Sequence, residues 1–290
     1  MANKDTIVAV HSDLHAGSTV AVCPPSWVNL DGNTISASPG QLILYRQWKR
    51  SAFKVKEALN ENRRRKRLVI VLNGEPIDGD HHETYQLITK NKPEQEGIAI
   101  SLLDEWMKIV EFDPKRGDCM YMTRGTTSHE KGQHLNNIGR DLDGVVPYRK
   151  DSSPTTKDGR YFYDILRRTV NGKLFDIAHH GFSVSKRRWL KSNNVRWTLI
   201  SMYFDALEEG LPIPDYVIRS HLHEYTYDRY KDMWGCVTPA WQIKTNFGFK
   251  VAPNNHINTI GMIYFDVTKD GFSKEYAEYI KVEDTPVKEF

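Results

Sequence analysis

At 290 residues the chain is long enough to bury a large core, and 39% hydrophobic against 27% charged residues describe a globular protein rather than a disordered one. A formal net charge of +3 is too small to establish nucleic-acid binding by itself, and no apolar run approaches the roughly 18 residues that a membrane helix needs. With no basic leader and long apolar region at its start, the chain is expected to be cytoplasmic.

The first expected element is the strand "TIVAV" at 6–10, followed at once by "HSDLH", in which Asp13 and His15 alternate. On a strand, alternate side chains share a face, so this pair can grip a metal; both residue types are also ordinary at the mouth of a loop. A Gly/Pro/Ser/Asn-rich stretch runs to residue 40. The segment "GQLILYRQWKRSAFKVKEALNEN" then places Leu44, Trp48, Val55 and Leu59 on one helical face. The run "RRRKR" at 63–67 reads as the solvated end of that helix, with phosphate contact as the minority reading. A strand in "RLVIVLNG", a helix in "EQEGIAISLLDEWMKIV" and a strand in "DCMYMTRG" complete a β-α-β-α-β order. That order favours a parallel or mixed sheet covered by helices.

The second half is richer in strands. "YFYDILRRTVNGKLFDIAHH" reads as two strands joined through Asn171-Gly172, a type I′ hairpin signal. A helix is expected from about Ser185 to Glu209, then the strand "DYVIRS" and β-rich sequence through "INTIGMIYFDV". No linker, repeat or low-complexity segment divides the chain, so residues 1–290 are read as a single domain of α/β class. Cys23, Cys119 and Cys236 are odd in number and widely spaced, which favours reduced core residues over a disulfide framework or a thiolate zinc site.

Most of the eleven histidines fall just after expected strands: His15, then His81 and His82, His129, His179 and His180, and His221 and His223. A satisfied core or surface histidine explains any one of these. It does not readily explain five strand ends that all carry Asp, Glu or His, because the strand ends of an α/β sheet are where ligands gather.

In number, order and placement these motifs resemble the calcineurin-like metallophosphoesterase superfamily across most of the chain: "SDLH" at 12–15, "GEPID" at 74–78, "GTTSHE" at 125–130, "AHHG" at 178–181 and "SHLH" at 220–223. The version "LNGEPIDGDHHETYQL" is similar to phage-type members. The resemblance implies a β-sandwich of mixed sheets flanked by α-helices and two divalent transition-metal ions, manganese first, with iron or zinc as alternatives. It also implies hydrolysis of a phosphoester by hydroxide formed from a water that both ions share. Carried over by residue, Asp13, His15 and His223 would hold one ion and His221 and His179 the other, with Glu75 bridging. Asp78 would support the site, His180 would be a ligand, stand behind the ligands or face substrate, His129 would be the general acid, Glu130 would orient it, and His81 and His82 would meet substrate. An oxygen-plus-imidazole ligand set suits such ions better than calcium.

Two departures stand out. Glu75 occupies the place of the family's bridging Asp, and its extra methylene moves the carboxylate by about one C–C bond length. The family's Asn ligand is replaced by Thr126 or Ser128, depending on whether the motif is aligned on its Gly or its His. A phosphodiesterase acting on DNA, RNA or nucleotides is the leading expectation, since "RRRKR" and "SKRRWLKSNNVRW" offer cations beside aromatics. A phosphomonoesterase and a non-catalytic binding module on a degenerate fold are the alternatives.

Overall fold

The computed structural model describes residues 4–80, 84–148, 160–183, 187, 190–251 and 257–283. Its strands are β1 (Thr6–His11), β2 (Ser26–Val28), β3 (Thr34–Ser36), β4 (Arg67–Asn73), β5 (Cys119–Thr123), β6 (Leu166–Val170), β7 (Lys173–Ile177), β8 (Tyr216–Arg219), β9 (Thr226–Tyr230), β10 (Met233–Val237), β11 (Ile257–Val267) and β12 (Ser273–Glu283). The helices are α1 (Pro39–Leu59), α2 (Lys92–Ile109), α3 (Gly132–Asp141), α4 (Asn193–Glu208) and α5 (Asn246–Val251). No described helix is long and apolar enough to cross a membrane.

Two five-stranded mixed sheets form a sandwich. The first has the order β12-β11-β1-β4-β5, with β1, β4 and β5 parallel and β11 antiparallel to β1. The second has the order β6-β7-β8-β10-β9, with β7, β8 and β10 parallel between antiparallel edge strands. The pleat of β1 explains why its sequence is apolar without alternation. Ile7 and Ala9 join the core beneath α1 and α2, while Val8 and Val10 pack against Phe175, Ile177, Tyr216 and Ile218 between the sheets. A strand covered on both faces needs apolar residues on both. On the far side, Val195 and Leu199 of α4 pack on Val217 and Val237. The layers are therefore helix, sheet, sheet, helix.

Helix α1 starts where its sequence says it should. Ser38 and Gln41 form a reciprocal capping box with Pro39 in the first turn, and Leu44, Trp48, Val55 and Leu59 are all buried. The Asn171-Gly172 turn has φ values of 47° and 85°, both positive as a type I′ hairpin requires. The reading of "RRRKR" as a solvated helix end is corrected. The helix stops at Leu59; Arg65 then binds Asp118 and the carbonyls of Val110 and Glu111, and buried Lys66 meets Asp266 at 2.6 Å. Arg65 and Lys66 of the run therefore tie separate segments together.

Candidate metal centre

Strands β1, β4 and β5 of one sheet and β7 and β8 of the other all end at the same edge of the sandwich, and each of the five following loops contributes to one cluster. The loops after β1 and β4 run side by side: Asp13 N donates to Gly74 O at 3.2 Å, His15 N to Glu75 O at 3.1 Å and Ala16 N to Pro76 O at 3.0 Å. Within the second sheet, Ser220 N donates to His179 O at 2.9 Å, and across the sandwich Trp241 N donates to Asp13 O at 3.0 Å.

Asp13 and His15 do not converge by strand alternation. Both lie beyond β1 with left-handed backbones, φ 51° and 46°, and Glu75, His221 and His223 have φ values of 51°, 72° and 52°. Five of the eight non-glycine residues with positive φ among those described thus belong to this cluster. Side chains with a Cβ hold that conformation only where the surroundings impose it, and such strain gathers at functional sites.

Glu75 stands between two groups of imidazoles. Its Oε2 lies 3.0 Å from His15 Nε2, and its Oε1 lies 3.1 Å from His179 Nε2 and 3.7 Å from His221 Nδ1. Asp13 Oδ1 is 3.2 Å from His223 Nε2 and 3.8 Å from His179 Nε2. Asp13, His15, Glu75 and His223 form one group with ligand atoms within 4.8 Å of one another; His179, His180 and His221 form a second, and His15, Asp78 and His129 a third.

The orientation of the rings is fixed from behind. His15 Nδ1 donates to Asp78 Oδ1 at 2.9 Å, and His179 Nδ1 donates to the carbonyl of Asn73 at 2.8 Å, so each ring turns its Nε2 into the cluster. Such outer partners set the tautomer of a metal-binding histidine. Beneath them lies a buried polar seam that the sequence did not reveal. Asn73 donates to Ala178 O and Ser220 Oγ and accepts from Thr123 Oγ1, and Thr238 links Ser220 to Ser12. Gln242 supports Asp78 at 3.0 Å. Lone Ser, Thr, Asn and Gln residues carry no spacing signal; Asn73, the last residue of the apolar strand β4, offered the one visible hint.

Buried charge explains the state of these groups. Burial would raise the Asp13 carboxyl, but His179 and His223 outweigh it and hold it below the usual range. The Glu75 carboxyl is likewise held well below its usual value, against burial, by His15, His179 and His221. Burial opposes the positive form of His15 and His179, yet the facing carboxylates and hydrogen bonds push them up to about 10 and about 9. Two buried carboxylates therefore demand positive charge. Asp13 Oδ1 and His179 Nε2 are buried without a hydrogen bond although polar atoms lie close by. In place of the second imidazole proton, a divalent cation would meet lone pairs aimed at a common space, so the residues fit the metal that the sequence implies.

The remaining candidate residues are distributed as follows. Thr126 enters the site: its N–H donates to Glu75 Oε1 at 3.2 Å, and its Oγ1 is 3.4 Å from both His180 Nε2 and His221 Nδ1. Ser128 is exposed, so of the two hydroxyls Thr126 is the one with contacts in the cluster. His129 Nδ1 donates to the carbonyl of Asp78 at 2.8 Å, and its ring meets that of His15 edge-on at 4.8 Å. Glu130 Oε1 accepts the Gly125 N–H at 2.5 Å, a contact that holds the loop against Glu75 rather than one that orients His129; burial pushes its carboxyl up to about 8. His81 and His82 lie outside the described residues. Trp48, Trp106, Trp234 and Trp241 are core residues, while Trp197 is exposed. Arg196 pairs with Asp228 and Lys191 with Glu224, so these cations of the second basic segment already face acids.

No family model and no curated protein matches the chain. Among solved structures it is similar to an archaeal phosphodiesterase, with 12% identity over 94% of this chain and 99% of that one and a TM-score of 0.36. It is similar to zinc-bound Vps29 from Entamoeba histolytica, with 10% identity over 96% and 99% of the two chains and a TM-score of 0.39. A predicted phosphoesterase from Streptococcus pneumoniae aligns at 12% identity over 94% and 97%, with a TM-score of 0.35. At these scores none of the three carries its activity over to this chain.

Proposed function

We propose that the chain is a metal-dependent phosphoester hydrolase of the calcineurin-like type, acting on a phosphodiester of nucleotide origin. The observation that carries this reading is the division of Glu75 between His15 on one side and His179 on the other. A single carboxylate so placed can be shared by two cations. Asp13, His15, Glu75 and His223 would hold one ion; His179 and His221, with Glu75, would hold the other. When bound, such a pair supplies Lewis-acid polarisation of the phosphoryl group and a water of lowered pKa.

The chain's own residues do the rest. Asp78 and the Asn73 carbonyl keep the Nε2 atoms of His15 and His179 turned inward. His129, whose Nδ1 proton is committed to the Asp78 carbonyl, exchanges a proton with the leaving oxygen through Nε2. No Ser or Cys nucleophile is required. The diester preference rests on the basic and aromatic content of the sequence: beside the β5 loop Arg160 stacks over Tyr148 at 4.8 Å and Phe162 at 4.4 Å, but Arg124 and Arg160 both already pair with Asp164.

The test is metal analysis together with turnover of bis(p-nitrophenyl) phosphate, then a panel of single-stranded DNA, duplex DNA, RNA, cyclic nucleotides and monoesters. Close to two ions per chain and activity restored by Mn after chelation are expected. Full activity in excess chelator after prolonged dialysis would remove the mechanism, and absence of both metal and turnover would make the chain a binding module.

A further inference from the structure

The two half-sites are chemically unequal. Asp13, His15, Glu75 and His223 offer two carboxylates and two imidazoles. The other half places three histidines together, and the third, His180, is one that the resemblance left without a settled role. The rings of His180 and His221 have centroids 4.5 Å apart, and those of His180 and His179 are 4.8 Å apart. His180 Nε2 and His221 Nδ1 lie at the same 3.4 Å from Thr126 Oγ1, so both nitrogens face one point beside that hydroxyl. Buried His179 Nε2, which has no hydrogen bond, completes the group.

Backbone geometry explains how adjacent residues reach one pocket. His179 is pinned through its carbonyl to Ser220 N and through Nδ1 to Asn73, while the chain turns at Gly181 with φ 126°. A Cβ at Gly181 would come 2.8 Å from Arg219 Nε, so the turn is reserved for glycine and His180 is delivered on the outer side of the same loop. Thr126 stands where an amide ligand would, and a neutral hydroxyl is a weaker donor than imidazole.

We propose that His180 is a ligand of the second half-site, making it a three-imidazole pocket that selects a zinc-class ion, Zn(II) or Co(II), over Mn(II), while the carboxylate-rich half-site accepts Mn(II). The proposal rests on the reading of these loops as a metal centre. Imidazole donors suit Zn, Cu, Fe and Ni, whereas carboxylate-rich sets suit Mn, Mg and Ca, and the order of intrinsic affinities places Mn(II) below Co(II) and Zn(II).

The experiment uses the full chain, stripped of metal and then dialysed against excess Mn(II) with free Zn(II) raised stepwise through a chelator buffer, with each ion counted by elemental analysis; Co(II) loading is followed by visible absorption. The wild-type chain is expected to hold one tightly bound Zn per chain beside a more readily exchanged Mn. His180→Ala should weaken that one Zn at least about 100-fold, above the 10–100-fold typical of partners outside the ligand shell, and should lower the Co(II) absorption. His180→Asn should recover part of both, because an amide oxygen can coordinate. Position 180 is exposed, so circular dichroism and melting should match the wild type. Two ions bound equally by wild type and His180→Ala, or Mn and Zn held indifferently by both half-sites, would overturn the proposal and leave the metal-centre reading standing. No metal bound in any form would overturn both.

Discussion

Gly125 and Glu75 touch so closely that a Cβ on the glycine would sit 2.6 Å from Glu75 Cγ and 2.7 Å from Glu75 N. The missing side chain is the room that the Glu75 side chain occupies. Gly125→Ala must therefore displace Glu75, and a shift near 1 Å in an active site costs on the order of 100-fold in rate. The variant should fold, with an unchanged far-ultraviolet spectrum, yet bind less metal and turn over bis(p-nitrophenyl) phosphate about 100-fold more slowly. Wild-type rate and metal content would show that Glu75 has slack.

Glu75 itself separates reach from charge. Glu75→Ala should lower metal content and activity together. Glu75→Asp keeps the charge but withdraws the carboxylate by about one C–C bond from rings now 3.0 and 3.1 Å away. Partial metal retention with a rate between wild type and alanine is the expected result, measured by elemental analysis beside turnover. An alanine variant with normal metal content would transfer the bridging role to another acid, Asp78 first.

His129 should be distinguishable from the ligands by its dependence on the leaving group. General-acid catalysis contributes about 10²–10⁴-fold where the departing oxygen needs a proton; a nitrophenolate leaves without one, and a sugar alkoxide does not. His129→Asn is expected to keep its metals and most activity on bis(p-nitrophenyl) phosphate while losing at least about 100-fold on a nucleotide diester. Equal loss on both substrates together with lower metal content would make His129 a ligand, as its grouping with His15 and Asp78 permits.

Acid stability has a specific source in His11. The ring is wholly buried among Trp48, Trp106 and Trp241, with centroids 4.8, 4.6 and 6.0 Å away, and burial lowers its pKa to about 3. Trp241 Nε1 donates to His11 Nδ1 at 3.3 Å, so Nε2 carries the proton of a neutral ring. The unfolded chain takes up a proton near pH 6.5 and the folded chain does not. The contribution is fully present above pH 6.5 and is lost as pH falls toward 3, by up to about 1.4 kcal/mol per pH unit. Denaturant midpoints measured between pH 7 and 4 should fall less steeply for His11→Gln, whose side chain cannot charge. Parallel slopes would assign the acid lability elsewhere.

The elements most legible in the sequence are those with a strong period or a rigid turn: α1, β4, α2 and the Asn171-Gly172 hairpin match the expected segments closely. The short β2–β3 hairpin, α3 and the terminal strand β12 were not separately expected. At three residues each, β2 and β3 are too short to show a period, and β12, half-buried along most of its length, lacks a clear apolar alternation. In the candidate site, residue types and strand-end positions were readable, but not the left-handed backbones that gather Asp13, His15, Glu75, His221 and His223. Positive φ at non-glycine residues is imposed by tertiary contacts and leaves no mark in local sequence. The tie between Lys66 and Asp266 was hidden for the same reason, since its partners are 200 residues apart.

The polar seam through Ser12, Asn73, Ser220 and Thr238 crosses from one sheet to the other directly beneath the histidines. Asp13, His15 and Glu75 follow strands of the first sheet, and His179, His221 and His223 follow strands of the second, so the approach of these imidazoles to the carboxylates depends on how the sheets sit against each other. The seam fixes the sheets at the edge where chemistry is sensitive to their placement, while farther away apolar contacts such as Val8 against Phe175 and polar ties such as Tyr216 to Ser273 and Asn171 to the Val267 carbonyl hold the register. Breaking the seam, at Ser12 or Thr238, would therefore loosen the spacing of the clustered side chains without altering any of them.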